Sequence, residues 1–276
     1  MMHLLAATDF SEHGNEAVNY ALELAGALGA RLHVLHAYRT QGSAALVMHN
    51  MQELLEADAK AGMEGLMQHI QPKADQMGVG LSSSLFYGEA EEAVKVAVRN
   101  HPYDLLILGS KQKSGLDTLF FGSVSRSIVE NMVMPTLLIP QGSTFQGWKS
   151  LSYAVNLLEN RKPGHLQYLL ALCIRLNTRI ETVYVREEGH KPDAVEQSHR
   201  LWLREALGAS HSAEIELEGE DVIAALFEHS EKQRPDALVV SAHQYSFFER
   251  LLVPGLSSRL AEKSKVPLLL LPINAL

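Results

Sequence analysis

Short apolar runs alternate with amphipathic stretches along the whole chain. In the first half the runs fall near residues 3–8, 31–38, 79–87, 104–109 and 135–140, and helix-period patterns occupy 12–28, 51–77, 89–100 and 122–133 between them. Leu32-His33-Val34-Leu35-His36 and Asp104-Leu105-Leu106-Ile107-Leu108 are mostly apolar at successive positions, which suits strands covered on both faces. The second half repeats the order, with strands near 149–155, 179–185, 212–217, 236–241 and 267–272. This alternation predicts an α/β class: two tandem doubly wound domains, each a five-stranded mainly parallel sheet flanked by helices.

The repetition extends to single residues. Met134-Pro135-Thr136-Leu137-Leu138-Ile139-Pro140 and Val266-Pro267-Leu268-Leu269-Leu270-Leu271-Pro272 share one pattern, and the offset relating their prolines also carries Gly109 to Ser241, Gln112 to Gln244, Ser114 to Ser246 and Leu119 to Leu251. Tandem duplication is the simplest account. The polar stretch Gln141-Gly142-Ser143-Thr144-Phe145-Gln146-Gly147 separates the copies, giving expected domains at 1–142 and 147–276. The proline-bounded strands at 135–140 and 267–272 are expected to pair at a sheet edge and join the halves as an intramolecular pseudo-dimer.

Composition narrows the function classes. The 276 residues are 46% hydrophobic and 20% charged, as in ordinary globular proteins, and the net charge of −8 argues against nucleic-acid binding. The single cysteine, Cys173, sits in an apolar helical run and reads as a core residue. No basic leader and no run of membrane-spanning length is seen, so a cytoplasmic protein with no membrane partner is expected.

Candidate chemistry concentrates after the fourth strand. Gly109-Ser110-Lys111-Gln112-Lys113-Ser114-Gly115, followed by Gly122-Ser123-Val124-Ser125, joins a buried strand to a helical pattern. Helix N-termini leave backbone N–H groups without partners and carry partial positive charge, while glycines allow an anion close to the backbone. The same residues would serve a plain strand-to-helix turn with a serine cap, and both readings stay open. Strand order in a doubly wound sheet would bring Thr8-Asp9 to the same crevice.

Thirteen histidines raise the question of metal or acid–base chemistry. His33 and His36, three apart on a strand, point to opposite faces and cannot chelate together. Asp9, Ser11 and His13 are better read as caps of a helix than as a triad. Met48, Met51, Met63, Met67 and Met77 follow one helical pattern, with core packing favoured over a flexible partner surface. No Walker loop, zinc motif or nucleophile elbow is present, so the chain carries no identifiable catalytic residue and hydrolysis would be slow and incidental.

Taken together, Thr8-Asp9-Phe10-Ser11, Leu35-His36-Ala37, Gly88, the loop from Gly109 to Ser123 and Val133-Met134-Pro135 resemble the universal stress protein family in its tandem two-domain form. The resemblance implies a stress-response regulatory protein that binds ATP or AMP in its first domain; magnesium would be compatible with a bound triphosphate, although no carboxylate cluster is dedicated to it. It places Asp9 near the adenine or ribose, the backbone around Ala37 against the adenine, and Gly109, Gly122 and Ser123 around the phosphates. Gln112 stands where nucleotide-binding members carry a second glycine. The alternative is a nucleotide-free dimerising scaffold for an unidentified protein partner.

The second domain departs further. Asn156 replaces the aspartate, Ser241 the first glycine, Phe247 the counterpart of Gly115, and Pro254 and Gly255 the pair Gly122 and Ser123. Proline removes a donor from the phosphate nest, so a degenerate site is expected there. The loop Tyr245 to Leu252 is aromatic and apolar, and packing against the neighbouring domain is the favoured reading over a partner surface.

Overall fold

The computed structural model describes residues 1–39, 48–112, 119–120, 134–155, 163–186, 188–242 and 266–272. In the first half, strands β1 (His3–Ala7), β2 (Arg31–Tyr38), β3 (Leu81–Tyr87), β4 (Leu105–Gln112), β5 (Leu119–Phe120) and β6 (Thr136–Pro140) enclose helices α1 (Glu12–Leu28), α2 (Met48–Met77) and α3 (Ala90–Asn100). In the second half, β7 (Ser150–Ala154), β8 (Arg179–Arg186), β9 (His211–Glu218), β10 (Ala237–Ala242) and β11 (Leu268–Pro272) alternate with α4 (Pro163–Leu176), α5 (Ala194–Leu207) and α6 (Val222–Gln233). The helix expected at 122–133 and the aromatic loop 245–252 lie outside the described residues.

Local chemistry sets the helix ends. Ser11 is extended and its hydroxyl accepts from the Gly14 N–H, while Gly29 adopts φ 61° and its N–H returns to Ala25 and Gly26 carbonyls. α5 opens with a reciprocal cap between Asp193 and Glu196. Asp221 caps α6 by accepting from the N–H groups of Ile223 and Ala224.

Both halves have one strand order, β3-β2-β1-β4-β6 and β9-β8-β7-β10-β11, with all neighbours parallel. Their main-chain contacts repeat as well. Thr8 N donates to Leu35 O as Val155 N donates to Val183 O, and Gly88 N donates to Tyr38 O as Gly219 N does to Arg186 O. Asp104 N donates to His3 O and its carboxylate accepts from His3 N; Asp236 and Ser150 make the same exchange.

The two sheets are continuous. β6 and β11 pair antiparallel, Leu138 against Leu268, Leu137 against Leu269 and Thr136 against Leu270, so the strands expected to pair do so. Each face of this sheet carries its own apolar layer. One layer runs from Leu4, Val34 and Ile107 through Leu137 and Leu269 to Leu151 and Ile180; the other runs from Leu5, Leu106 and Leu138 through Leu268 and Leu270 to Val183 and Leu238. The core therefore follows the faces of the sheet and crosses the seam between the halves.

Polar ties reinforce the seam. The Trp148 indole N–H donates to the Tyr20 hydroxyl at 2.8 Å, and the Tyr168 hydroxyl donates to the Asp104 carbonyl at 2.9 Å. Burial pushes both phenols well above their ordinary range. Gly142 N donates to Glu16 at 2.9 Å, fixing the connecting stretch on α1. Cys173 is buried and its thiol is pushed up to about 12, as a core residue should be. Met63 is buried and Met67 packs on the same layer, while Met51 is exposed.

Tyr20→Phe leaves the buried Trp148 N–H without its acceptor. It is expected to lower unfolding free energy by about 1–3 kcal/mol, read from urea denaturation.

On the opposite face of the sheet, the His33 ring bridges the hydroxyls of Ser82 and Ser84, each at 2.8 Å, and so clips β3 to β2. Burial, reinforced by His101, holds the His33 imidazole below its usual range. The unfolded chain then takes up that proton at a higher pH than the folded one. Stability is expected to be fully present above about pH 6.5 and to decline as pH falls toward the folded value. Urea midpoints between pH 8 and pH 5 should show a shallower decline in His33→Asn than in wild type.

Candidate functional site

In the first half, strand order reverses between β1 and β4, which opens a crevice beyond their carboxyl ends. Ala7, the last residue of β1, is in register with Leu35 on one side and Leu108 on the other. The chain leaving β1 at Thr8-Asp9 therefore emerges between the ends of β2 and β4. This brings Asp9, Ala37 and Gly109 to one rim.

The turn that carries Asp9 is tightly constrained. Thr8 is 7% exposed; its hydroxyl accepts from Phe10 N at 3.0 Å and donates to Asn15 Oδ1 at 3.2 Å, and Asn15 Nδ2 donates to the Phe10 carbonyl at 3.3 Å. Asp9 Oδ1 accepts from Ser11 N at 3.1 Å and from the Ser11 hydroxyl. That same Ser11 hydroxyl caps α1. Of Asp9, Ser11 and His13, Ser11 is the cap, His13 lies within α1, and the Asp9 carboxylate sits against Ser11 at the positive end of the α1 dipole.

Phe10 has φ 58°, a conformation costly for a residue with a bulky side chain. Its ring stacks on His36, with centroids 4.0 Å apart and planes 28° from parallel. His36 Nδ1 lies 2.8 Å from the Thr8 carbonyl, which can only accept, so Nδ1 carries the proton. A Cβ at Gly62 of α2 would come within 2.9 Å of the Phe10 ring. The aromatic pair thus fills the space between α2 and the end of β2, beside Ala37. His33, on the other face, takes no part, as the strand period requires.

Two glycines allow the helix and strands to meet. A Cβ at Gly14 would lie 2.7 Å from Thr8 Oγ1 and 2.8 Å from Asp9 Oδ1, and one at Gly109 would lie 2.8 Å from the His13 carbonyl oxygen. The absence of a side chain at Gly109 serves close packing of β4 on α1. Ser110 is buried and its hydroxyl donates to the Ile139 carbonyl, away from the crevice.

β4 continues past Gly109 to Gln112, where a loop was expected from Gly109 onward. Lys111 and Gln112 pair antiparallel with Phe120 and Leu119, which holds the backbone extended through Gln112. Gly122 and Ser123, the other expected phosphate-side residues, lie outside the described residues. Asp9, Ala37 and Gly109 gather at the rim, Gln112 follows three residues along β4, and Phe10, Gly14 and Gly62 are contributors the sequence reading missed. A glycine interrupting the α2 pattern at Gly62 was the available signal for the last.

In the second half, charges pair along β8, β9 and α5 at the outer edge of the sheet. Arg186 contacts Glu216 at 3.1 Å and Glu218 at 3.0 Å, Arg200 contacts Glu216, and Arg204 contacts Glu214 at 2.7 Å. The Arg200 guanidinium lies 4.6 Å from the centroid of the Tyr184 ring. Arg200, and then Arg186, hold the Glu216 carboxyl below its usual range. Asn156, Pro254 and Gly255 lie outside the described residues. Among the described residues no group of acidic, histidine or cysteine side chains is arranged to hold a metal ion, and no helix is long and apolar enough to cross a membrane.

Two tandem parallel sheets of order 3-2-1-4-5, each with a switch point between strands 1 and 4 of that order, define a duplicated doubly wound α/β fold. The model of the universal stress protein family matches residues 1–140 and 151–272, and the chain belongs to that family. Universal stress protein MJ0531 of Methanocaldococcus jannaschii is 23% identical over 137 residues, 49% of this chain and 80% of its own. A universal stress protein of Thermus aquaticus is 29% identical over 139 residues, covering 49% of this chain and 96% of its own. Each of these relatives thus matches about half of this chain. Over its full length the chain resembles the crystal structure of a universal stress protein from Archaeoglobus fulgidus, with TM-score 0.75, 14% identity and coverage of 99% and 98% of the two chains. A putative universal stress protein from Pseudomonas aeruginosa follows at TM-score 0.63, 12% identity and coverage of 99% and 93%.

Gly109→Ala drives a methyl group into the His13 carbonyl and must separate α1 from β4. The expected cost is about 1–3 kcal/mol, measured by urea unfolding.

Proposed function

We propose that this protein is a cytoplasmic stress-response regulator that binds an adenine nucleotide, ATP or AMP, in its first domain, residues 1–142. The observation that carries the reading is the convergence of Asp9 beyond β1, Ala37 near the end of β2 and Gly109 on β4, one residue past its pairing with β1. Asp9 accepts hydrogen bonds from ribose hydroxyls or the adenine amine, and the main chain at Ala37 lines the base. With the Asp9 carboxylate at the N-terminus of α1 and Glu12 in its first turn, that helix repels phosphate. The phosphates are thereby directed to the other side of the crevice, toward Gly109, Gly122 and Ser123. Magnesium enters with ATP, held by its phosphates. The second domain, residues 147–276, supports the first and transmits its state to a protein partner.

The extended backbone at Gln112 favours a second reading, a nucleotide-free interaction scaffold in which this residue closes the crevice. Two measurements separate the readings. Protein purified without added nucleotide, then denatured and chromatographed, should release adenine nucleotide, and titration calorimetry should show Asp9→Ala weakening ATP or AMP binding by about tenfold or more. Wild type that neither releases nucleotide nor binds it at millimolar concentration, alongside a Gln112→Gly variant that does bind, decides for the scaffold.

A further inference from the structure

The long sheet ends in two edges, β3 and β9, and they are built differently. β9 has a register shift against β8 and carries Glu214, Glu216 and Glu218 in alternation, each engaged by an arginine of β8 or α5. Such bulges and charges are how an edge is kept from pairing with another chain. β3 has neither. Its sequence Leu81-Ser82-Ser83-Ser84-Leu85-Phe86-Tyr87 contains no charge and no proline, and its register on β2 runs unbroken from Leu81 to Tyr87.

The outer side of β3 is set for a further strand. Gly80 O accepts from Leu32 N and Gly88 N donates to Tyr38 O, so even-numbered residues bond toward β2. In a parallel ladder the alternate residues Leu81, Ser83, Leu85 and Tyr87 then turn their N–H and C=O groups outward. Among the described strands, β3 pairs with β2 alone. Ser82 and Ser83 are exposed on opposite faces, which leaves the edge accessible from both sides of the sheet, and Tyr87 is 45% exposed. His33 clips Ser82 and Ser84 and so fixes the strand in place as a template.

We propose that β3 pairs antiparallel with β3 of a second copy of this chain, about a two-fold axis through Ser84. In that register the outward-facing residues meet each other: Ser83 lies opposite Leu85 of the second copy and Leu81 opposite Tyr87, each pair exchanging both main-chain hydrogen bonds. Ser82 lies opposite Phe86 on the other face, and Ser84 meets itself. The register uses the entire strand, covers the exposed Tyr87 with Leu81, and brings no like charges together within the strands. A second copy is the fitting occupant because the register is self-complementary and the symmetry closes at a dimer. The other uncharged strand ends, β6 and β11, are already consumed by pairing inside the chain.

The test is sedimentation equilibrium on the full chain from low micromolar to several hundred micromolar, with amide hydrogen exchange at Ser83 and Leu85. The expected result is a monomer–dimer equilibrium in which exchange at these amides slows as protein concentration rises. Ser83→Pro removes an outward N–H and spares the ladder to β2; it should weaken dimerisation by about tenfold or more with unchanged circular dichroism. Should that variant fail to fold, Ser83→Lys sets a charge on the same edge and should have the same effect. A wild type that stays monomeric over the whole range overturns the proposal, as does a dimer that the folded Ser83 variants leave unaltered.

Discussion

The antiparallel pairing of β6 with β11 is the constraint on which the rest of the molecule depends. Each half supplies a five-stranded parallel sheet whose last strand is apolar on both faces and would otherwise expose an unpaired edge. Pairing the two edges satisfies their main-chain groups and merges the apolar layers on both faces of the sheet. The halves then cannot separate without uncovering Leu137, Leu138, Leu269 and Leu270 together. The contacts from Trp148 to Tyr20 and from Tyr168 to Asp104 hold the helices of one face across the same seam.

With the sheets fixed, each crevice follows from strand order and from what fills the adjoining space. In the first half β1 ends between β2 and β4; the missing side chain at Gly14 lets the turn at Thr8-Asp9 sit directly on α1, and that at Gly109 lets α1 pack closely on β4. The left-handed conformation of Phe10 is the cost of this approach. Its stacking on His36, together with the network of Thr8 and Asn15, holds the strained residue in place. Asp9 is therefore positioned by the structure around it, with its carboxylate oriented by Ser11.

Much of this was legible in the sequence. Strands buried on both faces, such as Leu105–Leu108 and Leu137–Ile139, announce themselves as apolar runs, and the duplicated Pro135 and Pro267 mark equivalent ends. The crevice residues Asp9, Ala37 and Gly109 could be brought together because doubly wound topology dictates which strand ends meet. Phe10 was not legible: its backbone angle is imposed by tertiary contacts, and nothing in local propensity favours it. The extension of β4 through Gln112 was hidden for a related reason, since its partner Leu119–Phe120 is two residues long and carries no period. The ion pairs between α5 and β9 were not legible either, because opposite charges on separate elements leave no joint signal in the chain.

Those ion pairs show how the two copies have diverged within one framework. Both halves pack apolar residues between sheet and helix, Leu32, Leu66 and Ile70 in the first and Ile180, Leu203 and Leu207 in the second, but beyond them the second half adds Tyr184, Arg186, Arg200 and three glutamates. Partly buried charge of this kind adds little net stability, because desolvation offsets much of the attraction. What it does supply is direction, since Arg200 must satisfy Glu216 and face the Tyr184 ring at once, which fixes α5 against β8 and β9. The second copy retains the main-chain turns of the first at Val155 and Gly219, and pairs its charges with one another along β8, β9 and α5. Both halves share their edge strands with each other, so the framework tolerates this divergence: the strand order and the turns at the strand ends are kept while the charges along the outer edge of the second sheet differ from the first.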